Sequence, residues 1–189
     1  ATDEVDKNGK IYKTSEPRMD IYFPKSGTPT AIILSCPGGG YSYTSIPNGG
    51  VAVANFFTAR NIAVAVLKYR LPNKHKDVPL SDAAKAVEIL RDSASVWGVP
   101  TNRIGVIGFS AGGHLAACVS NLFVDAATRP DFSILVYPVI TFEKPYTHDG
   151  SVFGLLGDNP SQEMLDLYSN QKQVTPDTPP AFILAATDD

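Results

Sequence analysis

Apolar residues along this chain fall into short, bounded runs of two kinds. "AIILSC" (31–36), "IAVAVLKY" (62–69) and "RIGVIGF" (103–109) are almost continuously apolar, the pattern of strands covered on both faces. "FSILVYPVI" (132–140) reads as a further strand, whereas "RMDIYFP" (18–24) alternates, as a strand near a sheet edge does. Helical spacing predicts helices at about 50–60 ("GVAVANFFTAR"), at 80–97 ("LSDAAKAVEILRDSASVW") and at 111–123 ("AGGHLAACVSNLF"). In the second of these, Ser81 or Asp82 is the expected N-cap, and Ala83, Val87, Leu90 and Ala94 share one face. Residues 141–180 are loop-rich, with a short helix expected at 161–169, and the chain then enters "PAFILAATDD". Strands alternating with crossover helices predict an α/β fold built on a mostly parallel central sheet flanked by helices.

Composition narrows the picture. The 189 residues, 43% hydrophobic and 19% charged, suit one globular domain over 1–189, and no repeat or composition break marks a second. Within it, 141–180 is expected to form a lid-like, loop-rich insertion. Cys36 and Cys118 lie in apolar runs, where free thiols serve as small hydrophobes. A net charge of −3 with scattered Lys and Arg provides no basic field, which argues against nucleic acid as a partner. No apolar run approaches the roughly 18 residues of a membrane span. The polar start "ATDEVDKNGK" lacks a signal peptide, so a soluble protein is expected, either cytoplasmic or exported with its leader already removed.

Two segments carry chemistry. "GFSAG" (108–112) fits G-x-S-x-G between a strand and a helix, a setting that lifts the serine, Ser110, above the carboxyl ends of the strands as a nucleophile. The bland alternative is a packing turn. "SCPGGGYSY" (35–43) places three glycines directly after a buried strand, where backbone N–H groups aimed at one spot would stabilise a developing oxyanion. A phosphate-binding turn is disfavoured because "GGGYSYTSIPNGG" lacks the G-x-G-x-x-G spacing and the helix that follows it. No His or Cys pair has metal-ligand spacing, and no cofactor is implied.

Together "CPGGGY", "LKYRLP" (67–72), "RIGVIGFSAGGHLAA", "ILVYPVI" and "PPAFILAATDD" resemble the α/β-hydrolases. Within them the match is to the esterase and lipase branch that includes acetyl-xylan and related carbohydrate esterases, kin of the hormone-sensitive-lipase-like esterases. The resemblance runs from about residue 18 to the last residue. It implies Ser110 as the nucleophile and the N–H groups of Gly39, Gly40 and Ala111 as the oxyanion hole, with Pro37 where that family's loop has histidine. The acid follows the strand matched by "AFILAA", at Asp189, with Asp188 in reserve. Tyr41 and Tyr43, beside the glycines, are candidates to line the substrate, and His75 matches a rim loop.

The histidine departs from the pattern. Triads in this fold run Ser, then acid, then His, and only His75, His114 and His148 are present. His114 belongs to the helix beneath the elbow and is expected to be packed or capping. His75 reads as a solvated loop residue or a pocket lining, and His148 lies in the lid-like region. A base beyond Asp189, on a C-terminal part not included in these residues, is the expectation. The resemblance implies a serine hydrolase that cleaves a small-molecule or carbohydrate ester through an acyl-enzyme. The alternatives are an inactive binding module, or a peptidase, thioesterase or arylformamidase of the same fold.

Overall fold

The computed structural model describes residues 2–73 and 75–187. In chain order these form β1 (Glu4–Val5), β2 (Lys10–Lys13), β3 (Arg18–Tyr22), β4 (Ile32–Cys36), β5 (Thr44–Ser45), α1 (Ala52–Thr58), β6 (Ala63–Lys68) and α2 (Asp77–Ala94). There follow β7 (Ile104–Phe109), α3 (Ala111–Asn121), β8 (Phe132–Val136), α4 (Asp149–Leu156), α5 (Gln162–Leu167) and β9 (Ala181–Leu184).

The main sheet has the order β3-β6-β4-β7-β8-β9, parallel except for β3, which runs antiparallel along the edge of β6. The alternation in 18–24 thus belongs to an edge strand. Every residue of β4 is buried, because helices cover both faces of the strand, and its apolar run is continuous for that reason. On one face Ile32, Leu34 and Val106 pack with Val87 and Leu90 of α2 and Leu115 and Val119 of α3. On the other, Ile33, Val64 and Val66 pack with Val53 and Ala54 of α1. Full burial of each large aliphatic side chain contributes about 1.5–3 kcal/mol. Cys36 and Cys118 are buried free thiols within this core.

Several boundaries differ from expectation. α2 starts at Asp77, so neither Ser81 nor Asp82 caps it. Pro79 stands in its first turn, where a missing N–H loses no intrahelical bond. Asp82 is instead buried in the next turn, and its carboxylate accepts the backbone N–H of Arg70 at 2.9 Å and an Arg70 guanidinium N–H at 2.6 Å. β8 stops at Val136, four residues short of the expected strand, because Tyr137 turns to a φ of 37° and Pro138 follows. A three-stranded sheet, β1-β2-β5, was not expected, nor was the π-helical turn Pro47–Val51 that leads into α1. In the loop-rich stretch α5 lies where a short helix was expected, capped by Ser161, and α4 is an addition. Among the described residues no helix is long and apolar enough to cross a membrane.

Candidate active site

The junction of β7 and α3 is a single residue, Ser110, with φ 53° and ψ −122°. L-residues avoid this region, at a cost on the order of 1–3 kcal/mol, so the surroundings must hold it. Ser110 N–H donates to the Val136 carbonyl at 3.2 Å, and the Ser110 carbonyl accepts from His114 N–H at 3.0 Å and Val139 N–H at 3.2 Å. Strand and helix also fold back closely here: a β-carbon at Gly108 would stand 2.1 Å from the Gly112 carbonyl oxygen. This contact is the physical reason for the glycine that precedes the serine. Ser110 is half-buried and lines a cavity of about 630 Å3, together with Gly38, Gly39, Gly40, Tyr43, Tyr137 and His148. Ala111 opens α3, so its N–H has no intrahelical acceptor.

The glycine loop forms another wall of the cavity. Gly39 has φ +143°, and a β-carbon there would meet the Tyr43 carbonyl oxygen at 2.1 Å. Its own carbonyl accepts the N–H groups of Ser42 and Tyr43, at 3.0 and 3.2 Å. The N–H groups of Gly39 and Gly40 enter no backbone hydrogen bond among the described residues. The loop is braced from beneath: Tyr69 hydroxyl donates to the Pro37 carbonyl at 2.7 Å, and Tyr41 hydroxyl to His114 Nδ1 at 2.7 Å. His114 Nε2–H in turn donates to the Tyr168 carbonyl at 2.8 Å. A carbonyl only accepts, so this bond places the ring proton on Nε2 and leaves Nδ1 as the acceptor for Tyr41.

His114 is therefore a neutral core group, stacked on Phe142 with centroids 4.4 Å apart. Burial pushes its pKa down to about 4, from an ordinary 6.5. Between these values the unfolded chain binds a proton that the folded chain refuses, so stability is full above 6.5 and falls as pH drops toward 4. The whole window amounts to about 3 kcal/mol. Thermal melts between pH 7.5 and 5 should show this decline, and His114→Gln should remove close to one proton from its slope. Equal slopes in the two proteins would rule His114 out as the source.

Tyr41, a candidate to line the substrate, is largely enclosed. Only 3% of its surface is exposed, and its hydroxyl points into the core. It and His75 contribute to an adjoining cavity of about 1010 Å3, with Ser42 on the boundary of both cavities. Tyr43 does line the Ser110 cavity; its ring packs on Tyr12 at 5.6 Å, with Lys10 Nζ 4.7 Å from its centroid. Asp189 and its reserve Asp188 lie outside the described residues. Among the cavity residues that the sequence did not place in a site are Tyr137 and His148, the latter weighed there only as a possible base. The signal for Tyr137 was a tyrosine before proline at the carboxyl end of the strand after the elbow. For His148 it was a histidine immediately before "DGS", a helix start. Among the described residues no group of three or more His, Cys, Asp or Glu side chains could hold a metal ion.

Known proteins match this chain in sequence and in fold. The BD-FAE family matches residues 19–189. An acetylxylan esterase of Xylanibacter ruminicola is 37% identical over 175 residues, which are 91% of this chain and 36% of that protein. Endo-1,4-beta-xylanase B of Butyrivibrio fibrisolvens is 35% identical over 188 residues, 92% of this chain and 29% of that protein. The chain thus spans about a third of the length of these curated relatives. Among solved structures, an acetyl ester-xyloside bifunctional hydrolase from Caldicellulosiruptor lactoaceticus superposes with a TM-score of 0.81 at 35% identity, covering 88% of this chain and 65% of that one. With six strands in this order and a family match over nine-tenths of its residues, the chain belongs to the BD-FAE family and has the α/β-hydrolase fold.

Proposed function

We propose that the protein is a serine esterase that removes acetyl or another small acyl group from a carbohydrate, through an acyl-enzyme on Ser110. The observation that carries this reading is the convergence of the Ser110 hydroxyl and the three-glycine loop on one cavity, at a strained elbow that the fold holds in place. Ser110 Oγ attacks the ester carbonyl, and the negative oxygen is met by the N–H groups of Gly39, Gly40 and Ala111, each worth about 3 kcal/mol. The sugar alkoxide leaves with a proton, and water then releases the acid from the serine ester. Asp189 orients and charge-stabilises the imidazole that shuttles the proton.

In the triad order of this fold that imidazole follows the acid. His114 is committed at both nitrogens, and His75 lines the other cavity. The carbohydrate half of the reading is supported by the relatives, one an acetylxylan esterase by name, and by Tyr43 and Tyr137 on the cavity wall. Acetate release from acetylated xylan should exceed hydrolysis of long-chain lipid esters at matched enzyme concentration. An advantage for the lipid esters would remove the sugar from the proposal.

A further inference from the structure

We infer that His148 is a specificity-determining hydrogen-bond donor in the Ser110 cavity, reading a hydroxyl or ring oxygen of a polyol leaving group. The inference rests on the esterase reading of that cavity. It starts from a helix start of uncommon chemistry. The first N–H groups of α4 need acceptors, a role usually taken by Ser, Thr, Asp or Asn. Here His148 takes it: its Nδ1 accepts Ser151 N–H at 3.1 Å, with Ser151 Oγ 2.8 Å away. Ser151 is fully buried, so the inner edge of the imidazole is anchored to the protein interior. Gly150 leaves room for the ring, since a β-carbon there would stand 3.0 Å from His148 Cε1.

The cap decides the tautomer. Ser151 N–H, shared with the His148 carbonyl at 2.9 Å, is aimed at Nδ1, and a backbone N–H only donates, so Nδ1 holds the lone pair and Nε2 carries the proton. In that form Nε2 has no lone pair with which to take the Ser110 proton, so His148 is excluded as the general base. What remains is a donor: the ring is exposed, lines the same cavity as Ser110, and its Nε2 has no partner among the described residues. A donor fixed by its own cap meets a substrate oxygen without first losing rotamer freedom. An acetylated sugar offers such oxygens beside the scissile ester, and phenyl acetate offers none.

The two ring nitrogens can be tested separately in the full-length gene product. His148→Asn keeps an oxygen where Nδ1 caps the helix but does not reach the place of Nε2. His148→Gln carries an amide N–H out to that place. The measurement is the ratio of kcat/KM for monoacetylated methyl xyloside to that for phenyl acetate, a ratio that a loss of folded enzyme leaves unchanged. His148→Asn should lower it about 3- to 10-fold, the worth of one neutral hydrogen bond, mostly through KM, and His148→Gln should restore a large part of it. An unchanged ratio in His148→Asn, or equal losses on both substrates, overturns the inference. Ser110→Ala separates this from the parent reading: phenyl acetate turnover that survives that substitution defeats the esterase proposal itself.

Discussion

Ser110→Ala should lower kcat for short-chain esters by about 10^4-fold or more and leave the melting temperature within about 2 °C of the parent. The two halves of this expectation have separate causes. Loss of Oγ removes the only atom proposed to form the covalent intermediate, so what survives is the modest rate that the oxyanion donors provide for direct attack by water. Stability is spared because alanine retains the β-carbon that suffers at φ 53°, and because the serine hydroxyl makes no hydrogen bond among the described residues. Intact mass after treatment with an organophosphonate gives the independent reading: one adduct on the parent, on the peptide holding Ser110, and none on the variant. Undiminished turnover in Ser110→Ala would assign the chemistry elsewhere.

Gly39→Ala is expected to cost about 10^2- to 10^3-fold in kcat, the range for loss of an oxyanion donor. The new methyl has nowhere to go, being 2.1 Å from the Tyr43 carbonyl at a φ of +143°, so the loop must shift and carry its N–H groups away from the cavity. Gly40→Ala is the internal control. At φ +62° it meets nothing within 4 Å, so it pays only the left-handed penalty of about 1–2 kcal/mol and keeps the aim of the loop. Stopped assays at saturating and limiting ester would separate kcat from KM. If Gly40→Ala proves the more damaging of the two, the carbonyl contact at Gly39 does not set the shape of the loop.

How far the sequence reached follows from the range of the forces involved. Continuous burial on both faces writes itself into a strand, and "AIILSC" and "IGVIGF" were readable because nearly all of their residues are buried against helices and neighbouring strands. The elbow was readable because its strain demands a motif of five adjacent positions. The short strands β1, β2 and β5 were not, since two to four residues are too few to show a period and their pairing joins positions as far apart as Ile11 and Thr44. The start of α2 was misplaced because Asp82 has the chemistry of a cap but spends it on Arg70, a partner twelve residues away in the chain. Tyr41 and Tyr43 look alike in sequence. Their opposite surroundings come from His114, 73 positions distant from Tyr41.

That contrast bears on how the protein could be varied. The hydrogen-bonded line from Tyr41 through His114 to the Tyr168 carbonyl ties the floor of the glycine loop to α3 and to the segment after α5. In a saturation library, Tyr41 and His114 would tolerate almost nothing, since removing either partner strands a buried polar atom at about 1–3 kcal/mol. Ser42, Tyr43 and Tyr137, which face the cavities and hold no such bond, would accept many residues. Directed evolution toward larger acyl groups or other alcohols therefore has its freedom at Ser42 and Tyr43 of this loop and at Tyr137 across the cavity, with the rigid Tyr41 directly beside the first of them.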